Sequence, residues 1–161
     1  MIALYEGTSV KSRMIEWWSW SQFSHASWVK RNGRVVEAWR GGVSEWPTIH
    51  HNHTPGTRVI FLDLDLTPEQ VERIESFLTS QLGKGYDFLG VNRFLTRSQT
   101  PDDPERWFCS ELIFAAFLHA GIELLARVEA RKVMPVMLFY SPLLREKGGI
   151  VTKEAGAISE G

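Results

Sequence analysis

A single cysteine in 161 residues excludes any internal disulfide. No apolar run approaches the length that a membrane-crossing helix needs. The opening residues, Met1 to Gly7, lack the basic-then-apolar pattern of a secretory signal, so the expected location is the cytoplasm. Lys and Arg form no long run and the formal net charge is −1, which argues against a nucleic-acid partner. There is neither an internal repeat nor a linker that would divide the chain. Residues 1–146 are therefore expected to form one domain, and the Gly-, Ala- and Lys/Glu-rich stretch 147–161 a disordered tail. Oligomeric state cannot be read from any of this.

What is present is an ordinary globular mixture, 43% apolar and 23% charged, enough to build a core. The compositional oddity is tryptophan: Trp17, Trp18, Trp20 and Trp28 crowd into one short region. Trp17, Trp18 and Trp20 with Phe23 could wall a substrate groove or form a membrane-touching patch, but aromatic residues at helical spacing are more often core, which is the expectation. Ile2 to Tyr5 reads as a strand, and Thr8 or Ser9 as the cap of a helix carrying Met14, Ile15 and Trp18.

The runs Ser24 to Lys30 and Val35 to Trp39, separated by Asn32-Gly33, predict a hairpin. A plain two-residue turn would set Arg31 against Arg34 and put His25 and Glu37 on opposite faces of the sheet. An odd-numbered or bulged turn, with Gly33 in a left-handed conformation, puts them on one face. If His25 and Glu37 work together, the turn must be bulged.

His50, His51 and His53 crowd into the next loop. Imidazoles bind metals readily, but no carboxylate or Cys lies beside them at ligand spacing, so the expectation is a solvated loop with no metal and no cofactor. Arg58 to Asp65 predicts a strand with Ile60, Leu62 and Leu64 on one face. Thr67, Pro68 and Gln70 supply a capped helix start, with Val71, Ile74, Leu78 and Leu82 as its buried stripe and Gly83 as its stop. Gly85 to Leu89 leads into a short apolar helix through Phe94 and Leu95, and residues 96–105 read as a polar surface loop. A last short helix is expected from Pro135 through Tyr140.

The lone cysteine, Cys109, falls in the first turn of a predicted helix that is apolar on every side from Leu112 onward and closes at Gly121. Unpaired N–H groups and the positive dipole end at a helix start favour the thiolate, which is the nucleophile; Glu111 opposes this. Packing is the plain alternative, since free Cys is commonly buried. A catalytic reading needs a His from elsewhere in the chain.

His25, Glu37, Tyr86 and the Phe108 to Leu112 segment, taken together, resemble the circularly permuted branch of the NlpC-type papain-like cysteine hydrolases, the YiiX/YaeF-like group. Glu37 follows His25 by twelve positions and precedes the small Ala38, as in that family's His-bearing hairpin. Gly85 to Phe88 is similar to its tyrosine-bearing segment, and Phe108-Cys109-Ser110-Glu111-Leu112 to its nucleophile motif; the order His first, Cys second marks the permuted branch. The resemblance spans roughly residues 20 to 145. It implies an α+β papain-like fold, an antiparallel sheet packed on the nucleophile-bearing helix, with residues 1–146 as the catalytic domain. Cys109 would be the nucleophile, His25 its base, Glu37 the residue orienting the imidazole, and Tyr86 a further donor or substrate-positioning group. The implied reaction is hydrolysis of an amide in a peptide, a peptidoglycan stem peptide or a lipid. The alternatives are an acyltransferase or thioesterase of the lecithin-retinol-acyltransferase type, or a non-catalytic module that binds through its aromatic face.

Overall fold

The computed structural model describes residues 1–6, 22–87, 103 and 105–153. The predicted helix after Thr8 with Trp17, Trp18 and Trp20, the short helix through Phe94 and Leu95, and residues 154–161 lie outside the described residues.

Six strands form one sheet: β1 (Ile2–Glu6), β2 (His25–Val29), β3 (Val35–Trp39), β4 (Gly42–Trp46), β5 (Arg58–Asp63) and β8 (Arg145–Val151). Their order is β4-β3-β2-β1-β5-β8, and every neighbouring pair is antiparallel. A separate two-residue parallel pair joins β6 (Gly85–Tyr86) to β7 (Arg106–Trp107). Among the described residues the helices are α1 (Pro68–Ser80), α2 (Cys109–His119) and α3 (Pro135–Phe139), with a 3₁₀ turn at Ala130–Lys132.

Strand alternation divides the sheet into two faces. Ile2, Leu4, Ala26, Trp28, Val36, Ala38, Ile60 and Leu62 pack on Ile74 and Leu78 of α1 and on Leu112, Ile113, Phe114 and Phe117 of α2, forming the main core. Ala3, Tyr5, Val29, Val35 and Val59 form a smaller cluster on the other face, covered by Ile49. Trp28 belongs to the core: its ring meets Phe117 edge-on at 5.8 Å, and its indole N–H donates to Glu75 of α1 at 3.3 Å.

The α1 start is as expected. The Thr67 hydroxyl accepts from the Gln70 N–H and the Gln70 side chain accepts from the Thr67 N–H, with Pro68 in the first turn. Its end differs. The helix stops at Ser80, and Leu82 is exposed rather than part of the stripe, because the chain must turn back through Gly83 to lay Lys84 beside β4.

The expectation of little order from Lys147 is overturned through residue 153. Arg145–Val151 pairs along β5 with a bulge between Phe61 and Leu62. All seven of its residues are exposed, so the strand carries no apolar alternation to read; backbone hydrogen bonds define it. Gly149, which reads as looseness in sequence, is a packing requirement, since a Cβ there would lie 2.7 Å from the Val59 carbonyl oxygen. Gly149→Val is therefore expected to cost about 1–3 kcal/mol and to detach β8. Amide exchange across residues 145–153 would rise sharply; unchanged protection would refute the pairing.

Candidate functional site

The hairpin decides whether two candidate residues can meet. Val29 pairs with Val35, Lys30 N–H donates to the Arg34 carbonyl at 2.8 Å, and Gly33 N–H to the Lys30 carbonyl at 3.0 Å. The loop is thus the three residues Arg31, Asn32 and Gly33, with Gly33 left-handed at φ 81°. This odd loop sets His25 and Glu37 on one face, as the bulged-turn condition requires. His25 Nε2 and Glu37 Oε2 lie 2.8 Å apart, with each side chain 1% exposed.

Sequence reading missed much of what surrounds this pair. His53 Nε2 lies 3.3 Å from the same Glu37 oxygen, and Asn52 Nδ2 donates to Oε1 at 3.1 Å. His53 stacks on Tyr5 at 3.8 Å, and the Tyr5 hydroxyl hydrogen-bonds the Ser27 hydroxyl at 2.9 Å. Trp39 meets the His25 ring edge-on at 4.3 Å. The solvated-loop reading is therefore corrected: the His53 side chain is 6% exposed, and His51 stacks on Trp46 at 4.0 Å. Spacing along the chain could not show this, because the missing carboxylate, Glu37, comes from β3. The loop is also tied to the end of β8. Thr57 N–H donates to the Thr152 hydroxyl, which donates to the Thr54 carbonyl, and Lys153 N–H to His50 Nδ1.

Charge states follow from these contacts. Burial alone would push the Glu37 carboxyl up, but the hydrogen bonds and charges of His25 and His53 outweigh it and hold the group well below the usual carboxylate range. Burial lowers the His25 pKa, against the hydrogen bond and charge of Glu37. A carboxylate only accepts, so His25 donates from Nε2 and its lone pair is on Nδ1. That nitrogen is buried and has no hydrogen-bond partner among the described residues.

Cys109 is the first residue of α2 and fully buried. Burial pushes its thiol up to about 12, with backbone hydrogen bonds from Ala26 and Ser110 opposing and the Glu37 charge adding to the rise. The thiol thus meets β2 at the backbone of Ala26, the residue after His25. Ala26 packs in the core with α2, the His25 ring lies 5.2 Å from that of Tyr5, the Glu37 charge acts on the thiol, and no His25–Cys109 hydrogen bond is formed among the described residues. Tyr86 lies beside Cys109: β6 pairs with β7, which leads into α2, and the Tyr86 and Phe108 rings are 6.0 Å apart. Burial first, then the Cys109 and Asp87 charges, raise its phenol pKa, so Tyr86 is a neutral donor.

No family model matches the chain, and no curated protein is similar to it in sequence. A solved structure is similar in shape: the crystal structure of the metalloprotein YiiX from Escherichia coli O157:H7, DUF1105, with a TM-score of 0.67 over 95% of this chain and 96% of that one, at 20% identity. The fold is YiiX-like. A mixed α+β architecture with a large antiparallel sheet packed on helices is thereby established; at this identity the likeness concerns the fold alone. Among the described residues, no helix is long and apolar enough to cross a membrane.

Proposed function

We propose that the chain is a cysteine hydrolase of amide bonds in which Cys109 is the nucleophile, His25 its base, Glu37 the orienting carboxylate and Tyr86 a donor to the substrate. The observation that supports this most is the buried His25–Glu37 pair. It fixes the tautomer that leaves the Nδ1 lone pair without a partner among the described residues, on the residue next to the backbone that contacts the thiol. Hydrogen bonds of catalytic groups are often long or poorly aligned before substrate binds.

In the proposed reaction His25 Nδ1 takes the Cys109 proton, and the thiolate attacks the substrate carbonyl. N–H groups at the start of α2 receive the developing oxyanion. The imidazolium, stabilised by Glu37, protonates the leaving amine; water then releases the acyl group from sulfur. The YiiX structure is described as that of a metalloprotein. In this chain the described residues that could hold an ion are His25, Glu37 and His53.

Profiling against a panel of amides and esters, with Cys109→Ala as the blank, tests the proposal. A covalent acyl adduct on Cys109 that water resolves is expected. An adduct resolved only by an added alcohol or amine would make the protein an acyltransferase, and no adduct with any acyl donor would remove the catalytic reading.

A further inference from the structure

We propose that His25, Glu37 and His53 form a binding site for one divalent transition-metal ion of the zinc class, and that the bound ion and the thiol-activating form of His25 exclude each other. The second half rests on the hydrolase reading; the first does not.

The donor atoms of the three side chains all lie within 4.8 Å of one another. Bonds of about 2.0–2.1 Å in a tetrahedral site separate ligand atoms by roughly 3.3 Å. His53 Nε2 and Glu37 Oε2 already stand at 3.3 Å, and His25 Nε2, at 2.8 Å, needs a small retreat. Two imidazoles and a carboxylate, with the fourth position left to water, suit zinc and its neighbours. Two of the three ligands are held by neighbours. Asn52 occupies Oε1 and leaves Oε2 to the ion, while the Tyr5 stack fixes the His53 ring. A second observation concerns the surroundings: Glu37 is 1% exposed, and among the described residues its side-chain partners are Asn52 and two histidines, with no Lys or Arg. A buried carboxylate without a fixed cation is a site that a metal ion would neutralise.

The exclusion follows from one proton. In the metal-free site the His25 proton is on Nε2, shared with Glu37, and the Nδ1 lone pair is available. Metal ligation takes the Nε2 lone pair, so the proton moves to Nδ1, with no net release for a neutral ring. Nδ1 is then a donor and cannot accept the thiol proton of Cys109.

Titrating the full chain with Co²⁺ alone, followed by its visible absorption, tests the site. One saturable Co²⁺ per chain is expected, with bands of a nitrogen–oxygen site, no thiolate charge-transfer band, and the same spectrum in Cys109→Ser. His53→Gln, and separately Glu37→Gln, should each weaken binding by at least roughly tenfold. Use of either variant requires that its circular dichroism match wild type. No saturable binding, binding indifferent to a folded His53→Gln variant, or a thiolate band lost in Cys109→Ser would each overturn the site. Zn²⁺ at saturation should slow Cys109 alkylation at least roughly tenfold, reversibly on chelation. Unchanged alkylation with the ion bound would overturn the exclusion and leave the site. Alkylation that does not depend on His25 even without metal would instead count against the hydrolase reading.

Discussion

At about pH 7.5, a mild thiol electrophile such as iodoacetamide will alkylate wild-type Cys109 at least about tenfold faster than Cys109 in His25→Ala, the low end of what a positioned base contributes. The comparison is conservative, because removing the imidazole opens space and on access alone would speed the variant. The pH profile separates the two forms further. A neutral His25 accepts the proton, and burial, opposed by Glu37, lowers its pKa from 6.5. The wild-type rate should therefore hold a plateau at neutral pH and fall only as pH drops below 6.5. In His25→Ala the thiol, pushed up to about 12 chiefly by burial, has no assistance, and its rate should climb by about tenfold per pH unit through the alkaline range. Equal rates and parallel profiles would remove the assignment of His25 as the base.

The second large effect is on stability. Glu37→Ala strips the acceptor from three donors, His25 Nε2, His53 Nε2 and Asn52 Nδ2, of which the first is fully buried. The cost is on the order of 3–5 kcal/mol, since each unsatisfied donor costs about 1–3 kcal/mol and those in the loop can turn to water. For a chain of this size that lowers Tm by roughly 6–20 °C. Glu37→Gln, which keeps one acceptor oxygen, should lose less. The acid side has a defined sign. Glu37 has a folded pKa held below its ordinary 4.5, so its contribution is complete above that value and is lost as pH falls through the folded pKa. His25, buried and lowered, resists a proton that the unfolded chain accepts, so wild-type stability should begin to decline earlier, below 6.5. Thermal melts across this range check both stages, and a Glu37→Ala melt within about 2 °C of wild type at neutral pH would show that the carboxylate holds nothing together.

The elements most legible in sequence are those whose signal is local. The capping residues Thr67, Pro68 and Gln70 announce α1 because the hydrogen bonds that start a helix come from neighbours three positions apart. The all-round apolar run from Leu112 announces α2 as a buried helix, and it is one. Asn32-Gly33 announces a hairpin and parity makes a His25–Glu37 pair conditional on an odd turn; the structure meets that condition, with Gly33 left-handed. By contrast β8 has no periodic pattern, because an edge strand with exposed side chains is held through its backbone alone.

The sequence by itself determined the hairpin, the parity condition that ties a bulged turn to a His25–Glu37 pair, and the place of Cys109 at a helix start; the α+β class came from the family resemblance. The first three rest on a period or spacing of a few residues, which backbone geometry converts directly into shape. Only the tertiary structure decided that His53 and Asn52 close on Glu37 and that Tyr5 backs His53. It also decided that the Cys109 thiol meets β2 at the backbone of Ala26. Those relations join residues from β1, β2, β3, the His-bearing loop and α2, and depend on which face of the sheet each element covers.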